Sequence, residues 1–224
     1  MMRQLRLELR RPVSFARADF VTGPSNAQAV AALDAWPRWP GGCLAMIGPE
    51  GVGKTHLARG WAASVEAVLL DRAAPDIAAA TGRPVLIEDL DEGADPEALF
   101  HLINMAGRSG GGLLLTARQP PAAWPADLPD LRSRLNALYV AEIEAPDDAV
   151  LEGTLRKFFR ERNIRPPEDV FPYLLRRIER SIPCASEIVR RLDEVADEEQ
   201  RPISRLLARQ ILEDDTENLD LLEG

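Results

Sequence analysis

One octapeptide of this sequence has the residue types and spacing that can bind a phosphate chain. It fits the pattern G-x-x-x-x-G-K-[ST] at every fixed position. Its residues are Gly48, Pro49, Glu50, Gly51, Val52, Gly53, Lys54 and Thr55. Because Gly51 and Gly53 have no Cβ, the backbone can wrap a phosphate with successive N–H groups pointing inward. Lys54 would place a positive charge beside the β- and γ-phosphates, and the Thr55 hydroxyl would be a ligand of Mg²⁺.

Two adjacent carboxylates form a second group with chemical potential. Residues 84–87 are an apolar run, and Glu88 and Asp89 follow it directly. An apolar strand that ends in acids is typical of a Walker B strand, whose carboxyl end faces the phosphate loop across a nucleotide site. Glu88 would then hold the water shell of Mg²⁺, and Asp89 would orient the attacking water.

The octapeptide can do this chemistry only if a strand precedes it and a helix follows it. Residues 43–47 are a short apolar run that predicts a buried strand. From Thr55 the chain continues as a helix with Leu57 and Trp61 four residues apart on one face, so the phosphates would lie on the helix N-terminus. Both flanking segments argue against the alternative, a glycine-rich turn that carries Lys and Thr by coincidence.

Strands and helices alternate through the first two thirds of the chain. Apolar runs predict strands at residues 43–47, 67–70, 84–89, 113–117 and 138–143. One helix is predicted before the first strand, with Ser25 as its N-cap. Others are predicted between the strands, among them one that begins at Pro96 with Asp95 as its N-cap. This alternation predicts an α/β fold with a parallel sheet that helices cover on both faces.

From residue 147 onward the pattern predicts helices alone. The candidates are residues 147–162, 168–180, 184–196 and 203–212, with proline-containing breaks between them. We therefore predict a small helical lid behind the nucleotide domain. The expected divisions are an N-terminal tail of residues 1–14, an α/β domain of residues 15–145 and a lid of residues 146–224 with an acidic end.

The charge and the apolar pattern exclude several function classes. The formal net charge is −9, and residues 193–224 hold eleven acids against three arginines. The rest of the chain is nearly neutral, which disfavours strong direct DNA binding. The acidic end is more typical of a solvated terminus than of an interaction arm. Without a long apolar stretch or a signal peptide, the sequence predicts a cytoplasmic protein that does not bind membranes. Cys43 and Cys184 have no metal-binding spacing and are expected to be core residues.

The N-terminal tail carries a short pattern of its own. Leu5, Leu7 and Leu9 alternate after Gln4, so an extended segment would present all three leucines on one face. One interpretation is an edge strand of the main sheet, although Pro12 would stop it from continuing. The other is a terminal peptide that docks into a groove of another protein.

Taken together, these motifs resemble the AAA+ module of the bacterial replication initiator DnaA. The resemblance covers residues 15–213. It rests on the Gly-Lys-Thr-His-Leu continuation of the phosphate loop, the acid-ended strand, a Leu-Leu-Leu-Thr strand before Pro-Pro, a Leu-Arg-Ser-Arg-Leu helix and the helical lid. It implies an AAA+ P-loop NTPase fold with ATP or ADP and Mg²⁺ as cofactors. It also implies that Phe20 and Val21 lie beside the adenine, with His56 close to the nucleotide.

Within that family the chain is similar to the Hda-type regulatory inactivators. Nothing follows the predicted lid, so we expect the C-terminal DNA-binding domain of DnaA to be missing. Residues 4–9 resemble the Gln-Leu-x-Leu-x-Leu motif that binds the sliding clamp of DNA polymerase III, its beta subunit, through Gln4, Leu5, Leu7 and Leu9. The resemblance implies the clamp and DnaA as partners, and a homo-oligomer.

The resemblance also assigns a role to Arg134, which matches the arginine finger of AAA+ assemblies. A finger supplied in trans stabilises the charge on the transferring phosphoryl group and is worth roughly 10³–10⁵ in rate. The alternative for Arg134 is a surface salt bridge. Arg132 is expected to be structural or to lie in an interface.

Three departures from the family pattern bear on catalysis. Residues 116–119 read Thr-Ala-Arg-Gln where the family has Thr-x-Asp-Arg, and Ser186 occupies the position of the lid's sensor arginine. Glu88 replaces the first Walker B aspartate. These changes predict weak intrinsic ATP hydrolysis, although Arg190 or Arg191 could still reach the phosphates.

Three functions stay open from the sequence. The first is a clamp-tethered regulator that uses Arg134 to trigger hydrolysis on ATP-bound DnaA. The second is a self-sufficient small AAA+ ATPase, such as a helicase-loader-like protein. The third is a nucleotide-binding module that serves as an assembly cap.

Overall fold

The structure, a computed structural model, describes residues 15–107 and 111–220, with side chains through residue 213. The predicted clamp motif of residues 4–9 lies outside the described residues. All strands of the described part form one parallel sheet in the order β2-β3-β4-β1-β5. The strands are β1 Cys43–Ile47, β2 Val68–Leu69, β3 Pro84–Ile87, β4 Gly112–Ala117 and β5 Tyr139–Glu142.

The helices fall into two groups along the chain. The first group alternates with the strands, and the second follows β5. The first consists of α1 Ala27–Asp34, α2 Lys54–Ser64, α3 Pro96–Ala106 and α4 Pro129–Asn136; the second consists of α5 Asp148–Glu161, α6 Val170–Leu175, α7 Ile182–Glu198 and α8 Arg205–Asp220. The predicted α/β fold with a parallel sheet is therefore confirmed.

Helices cover both faces of the sheet because the central strands β1, β3 and β4 have apolar side chains on both faces. Alternate residues of a strand point to opposite faces. In β1, Cys43, Ala45 and Ile47 pack in the layer of α3 and α4, whereas Leu44 and Met46 pack in the layer of α1 and α2. The same alternation in β3 and β4 explains why these strands read as unbroken apolar runs.

The helices after β5 have an apolar core of their own. Leu151, Leu155 and Phe159 of α5 are buried together with Val189 and Leu192 of α7. Residues of α6 and α8 complete the same cluster. These helices therefore form a helical lid that packs around its own centre. Within the described residues no helix is long and apolar enough to cross a membrane.

Side-chain caps fix where several helices begin. Asp95 Oδ1 accepts a hydrogen bond from the Ala98 N–H at 2.9 Å, which confirms the predicted cap of α3. Ser181 Oγ accepts from the Cys184 N–H at 3.2 Å, so α7 begins at Ile182, two residues earlier than predicted.

The predicted cap of α1 is wrong. Asn26 occupies the N-cap position, and α1 has no side-chain cap. Ser25 instead bonds a residue far along the chain: its N–H donates to Asp147 Oδ2 at 2.8 Å, and its Oγ accepts from the Asp147 N–H at 3.3 Å. The Asn26 side chain accepts from the Gly23 N–H at 3.0 Å. Both side chains thus serve tertiary contacts and the preceding turn rather than α1.

Candidate functional site

The predicted phosphate loop joins β1 to α2 at the carboxyl edge of the sheet. Residues Gly48, Pro49, Glu50, Gly51, Val52 and Gly53 form the loop, and α2 begins at Lys54. Gly53 has a φ of 101°, which L side chains rarely adopt, and a Cβ on it would lie 2.8 Å from Phe20 Cε2. Val52 is buried in the layer of α2, so it anchors the loop. The strand–loop–helix arrangement that the sequence predicts is present.

Lys54 is folded onto its own loop. Its Nζ donates hydrogen bonds to the carbonyl oxygens of Gly48 and Pro49, both at 2.7 Å. Burial lowers the pKa of Lys54 below its ordinary value, and the carboxylates of Asp89 and Asp91 offset only part of this effect. A buried ammonium group with backbone partners only has unused capacity for an anion, which a phosphate at this loop would satisfy.

The two Walker B acids have different surroundings. Glu88 is largely buried: its Oε2 accepts from Arg59 Nε at 2.8 Å, and its Oε1 has no hydrogen-bond partner in the described part of the chain. Asp89 is exposed, has a φ of 58°, and its N–H donates to Thr116 Oγ1 at 3.2 Å. Thr116, which is buried at the end of β4, therefore fixes the backbone beside the predicted catalytic acid.

The residues predicted to hold Mg²⁺ fit a weakly held ion. Thr55 is exposed in the first turn of α2, and the buried Oε1 atom of Glu88 is an oxygen ligand without a partner. Among the described residues no three His, Cys, Asp or Glu side chains converge on a common point. Such a sparse set suits Mg²⁺, which keeps several waters and is bound by few carboxylates together with phosphate oxygens. When bound, the ion would neutralise charge on the phosphates.

An acidic turn after β3 contributes residues that the sequence reasoning missed. Asp91 accepts from the Arg118 N–H and from Arg118 Nε, both at 3.0 Å, and Glu92 accepts from Arg72 Nη2 at 2.6 Å. Desolvation alone would raise the pKa of Asp91, but the hydrogen bonds from Arg118 outweigh it and the pKa is lowered. The acidic run Leu-Asp-Glu directly after the Walker B acids was the available signal. Arg118 belongs to the turn of residues 116–119, which differs from the sensor pattern of the family. Its guanidinium is therefore held by carboxylates.

The predicted adenine-side residues lie between the phosphate loop and the lid. The Phe20 ring is 5.5 Å from the His56 ring, and His56 Nε2 lies 3.1 Å from the Ala16 carbonyl oxygen. Val21 packs on α5 at Gly153, where the absence of a side chain leaves room for it. A Cβ added to Gly153 would lie 2.7 Å from Val21 Cγ1. The segment therefore places Phe20 beside His56 and Val21 beside α5. That these three residues contact a nucleotide stays a prediction.

Of the lid arginines that could replace a sensor, Arg190 pairs with acids of its own helix. Arg190 is exposed on α7 and bonds Glu187 through Nε at 2.8 Å and Glu194 through Nη1 at 2.5 Å. Ser186, at the position of the sensor arginine, is half-buried on the same helix. Arg191 is also half-buried. The first turn of α7 lies against the loop: a Cβ added to Gly51 would lie 2.8 Å from Pro183 Cδ.

Two arginines of α4 differ in their contacts. Arg132 is structural: its guanidinium donates to the carbonyl oxygens of Ala122 at 2.8 Å and Trp124 at 2.7 Å. Arg134, the predicted finger, is exposed in the last turn of α4, and its side chain forms no hydrogen bond or ion pair with any described residue. The salt-bridge alternative for Arg134 therefore finds no partner within the described part of the chain.

The sequence is similar to that of bacterial replication initiators. It is 32% identical over 117 residues to the chromosomal replication initiator protein DnaA of Thermomicrobium roseum, covering 52% of this chain and 25% of that protein. It is 30% identical over 185 residues to DnaA of Rippkaea orientalis, covering 69% and 41%. The chain thus spans less than half the length of these relatives. No protein-family model matches it.

Solved structures show the same fold. Domain III of the Thermotoga maritima replication initiation protein DnaA has a TM-score of 0.72 at 20% identity, covering 91% of this chain and 98% of that one. DnaA bound to AMPPCP and single-stranded DNA has a TM-score of 0.65 at 19% identity, covering 83% and 68%. RuvB of T. maritima reaches 0.69 at 15% identity, covering 89% and 72%. The chain therefore has the AAA+ P-loop NTPase fold and resembles DnaA in sequence.

Proposed function

We propose that this chain is a nucleotide-bound regulator of replication initiation that stimulates ATP hydrolysis by DnaA through Arg134. Its own site would hold ADP or ATP, and hydrolysis would take place at the site of the neighbouring DnaA subunit. Residues 4–9 would bind the sliding clamp of DNA polymerase III, so that the stimulation occurs where the clamp is loaded on DNA.

Adenine nucleotide binding is supported by three surfaces that meet at the phosphate loop. Phe20 of the N-terminal segment lies against Gly53, and Pro183 of the lid lies against Gly51. Lys54 directs its charge to the same loop, through hydrogen bonds to the carbonyl oxygens of Gly48 and Pro49. A nucleotide in this space would contact the N-terminal segment, the loop and the lid together. One relative of the same fold was solved as DnaA bound to AMPPCP.

The position of Arg134 is the observation that carries the proposal. Helix α4 runs from the carboxyl end of β4 back to the start of β5, and Arg134 lies five residues before Tyr139. Because the strands are parallel, the start of β5 lies at the opposite edge of the sheet from the phosphate loop. An exposed arginine at that edge serves a neighbouring subunit better than its own nucleotide.

Weak ATP hydrolysis by the chain itself is supported by the ion pairs that its arginines form with carboxylates. Arg118, in the position of a sensor residue, is bonded to Asp91. Glu88 is bonded to Arg59, and Arg190 is bonded to acids of its own helix. These three arginines are thus engaged by carboxylates, whereas the transition state of phosphoryl transfer needs cations directed to the phosphates.

The test follows ATP pre-bound to DnaA, with this protein and clamp-loaded DNA added or withheld. We expect the conversion to ADP to accelerate only when both are present. Arg134→Ala should remove the acceleration, because trans arginine fingers are worth roughly 10³–10⁵ in rate. Arg38→Ala is the matched control, since Arg38 is an exposed arginine that follows α1 on the other face of the sheet.

A second variant separates tethering from catalysis. Leu7→Ala changes the predicted clamp motif, which lies outside the described residues. It should abolish clamp binding, and with it the acceleration on clamp-loaded DNA, while nucleotide binding stays normal. Steady ATP turnover by this protein alone, without acceleration on DnaA, would contradict the regulator and favour a self-sufficient AAA+ ATPase. Nucleotide binding with neither ATP turnover by this protein nor acceleration on DnaA would favour the third function, an assembly cap.

A further inference from the structure

The first Walker B acid forms an ion pair with the helix that follows the phosphate loop. Arg59 Nε donates to Glu88 Oε2 at 2.8 Å, and the Glu88 side chain is 15% exposed against 45% for Arg59. The carboxylate is thus the buried member of the pair. A guanidinium on one oxygen neutralises much of the carboxylate charge, which makes Glu88 a weaker ligand for a second cation.

This ion pair lies beside the position expected for Mg²⁺. Arg59 comes one helical turn after Thr55 on α2, and residues four apart project from the same helix face. Arg59 and the Thr55 hydroxyl therefore share the side of α2 on which Glu88 lies. The one Glu88 oxygen left for the water shell of a metal is Oε1, which is buried and has no partner in the described part of the chain.

The N-terminal segment holds Arg59 from another direction. The Arg59 guanidinium carbon lies 5.6 Å from the centre of the Phe15 ring, a cation–π contact. The Phe15 ring packs edge-on against His56 at 5.9 Å. Arg59 is thus fixed by an aromatic ring and a carboxylate at once. It connects the predicted adenine-side segment to the metal-side acid.

We propose that Arg59 is a positioning residue that prevents Glu88 from binding Mg²⁺ tightly, so that this site holds its nucleotide with little dependence on the metal. The inference rests on the proposed nucleotide binding. The phosphate charge is then matched mainly by Lys54 and by the backbone N–H groups of the loop. Such a site retains nucleotide while hydrolysing it slowly, which suits a subunit that supplies an arginine to another site.

The experiment measures the affinity of the whole chain for a fluorescent, non-hydrolysable ATP analogue, first in EDTA and then in millimolar Mg²⁺. For the wild type we expect the two dissociation constants to agree within about threefold. Arg59→Met should make the affinity depend on Mg²⁺ by on the order of tenfold, because removing a positive charge beside Glu88 strengthens its attraction for the ion. Arg59→Lys, which keeps the charge, should behave like the wild type.

Two controls assign the effect to the ion pair. In a Glu88→Gln background, Arg59→Met should no longer change the Mg²⁺ dependence, because the acid through which Arg59 acts is gone. Arg83→Met is the matched surface change. Arg83 precedes the same strand β3 at its other end and bonds the Glu66 carbonyl oxygen at 3.2 Å, so its removal should leave the Mg²⁺ dependence unchanged.

The outcomes distinguish the inference from the function on which it rests. Normal analogue binding by Arg59→Met with an unchanged Mg²⁺ dependence would overturn the inference and leave nucleotide binding intact. If the wild type does not bind the analogue in either condition, both fail. Thermal melting of each variant checks its fold, and Arg59→Gln replaces Arg59→Met in the comparison if the methionine variant melts early.

Discussion

The backbone N–H of Ile182 donates a hydrogen bond to the carbonyl oxygen of Gly51 at 3.0 Å. Ile182 opens α7 of the lid, and Gly51 lies in the middle of the phosphate loop. The next lid residue, Pro183, packs so closely on the loop that a Cβ on Gly51 would lie 2.8 Å from its Cδ. The lid and the phosphate-binding backbone are therefore directly coupled, and a change in one must be accommodated by the other.

Gly51→Ala should destabilise the protein more than Gly82→Ala. Both glycines have nearly the same positive φ, 74° and 71°, so each alanine loses roughly 1–2 kcal/mol to the left-handed backbone. Only Gly51 has Pro183 in the way, whereas a Cβ on Gly82 has nothing within 4 Å. Overpacking adds roughly 1–3 kcal/mol at Gly51. Urea unfolding measures both, and equal losses would show that the lid moves aside freely.

Arg132→Ala and Arg134→Ala should separate stability from function. Arg132 bonds the carbonyl oxygens of Ala122 and Trp124, and hydrogen bonds of charged groups contribute roughly 1.5–3 kcal/mol, so its loss should lower the free energy of unfolding by about 2 kcal/mol. Arg134→Ala should change it by less than about 0.5 kcal/mol, because its side chain bonds no described residue. The measurement is the urea midpoint of each variant. A large loss at Arg134 would mean that it supports the fold.

The structural features that the sequence predicts correctly are those fixed by residues close together along the chain. The phosphate loop follows from glycines and a lysine at fixed spacing, and the Asp95 cap acts on the N–H three residues later. The sequence pattern places the start of α7 two residues too late, because Pro183 is also typical of a break between helices. Proline in the first turn instead favours a helix start, and Ser181 supplies the cap.

Contacts between distant segments were beyond the sequence patterns. The bonds between Ser25 and Asp147 join residues 122 apart, and neither residue type signals its partner. Arg59 and Glu88 are 29 residues apart and meet only because α2 packs beside β3. Such pairs depend on how helices lie on the sheet, which hydrophobic periodicity does not specify. The strand–loop–helix arrangement was thus predictable, and the pairing of the charges around it was not.

Asp147→Asn should reduce the acid sensitivity of the fold. Desolvation alone would raise the pKa of Asp147, but hydrogen bonds from the N–H groups of Val150 and Ser25 outweigh it and lower the pKa. A lowered pKa contributes stability above the unfolded value of about 3.9, and this contribution is lost as the pH falls through the folded pKa. Urea unfolding at pH 7 and at successively lower pH values measures the contribution.

Asparagine is the informative replacement, because it can still cap α5 through its side-chain oxygen and cannot titrate. The expected result is a small loss of stability at pH 7 and a shallower decline toward acid than in the wild type. Asp95→Asn is the matched control, since Asp95 caps α3 by the same type of bond but does not bond Ser25. An unchanged acid slope for Asp147→Asn would contradict the assignment.

The two cysteines should differ in reactivity by orders of magnitude. Cys43 is 2% exposed in β1, and burial raises its pKa to about 12, so its thiolate fraction at pH 8 is on the order of 10⁻⁴. Cys184 is only half-buried in the first turn of α7. A chromogenic disulfide reagent should therefore titrate one thiol of the native protein quickly and the second only in denaturant, and Cys184→Ser should remove the fast phase. Two thiols reacting together in the native protein would mean that the sheet opens at β1, the strand that carries the phosphate loop.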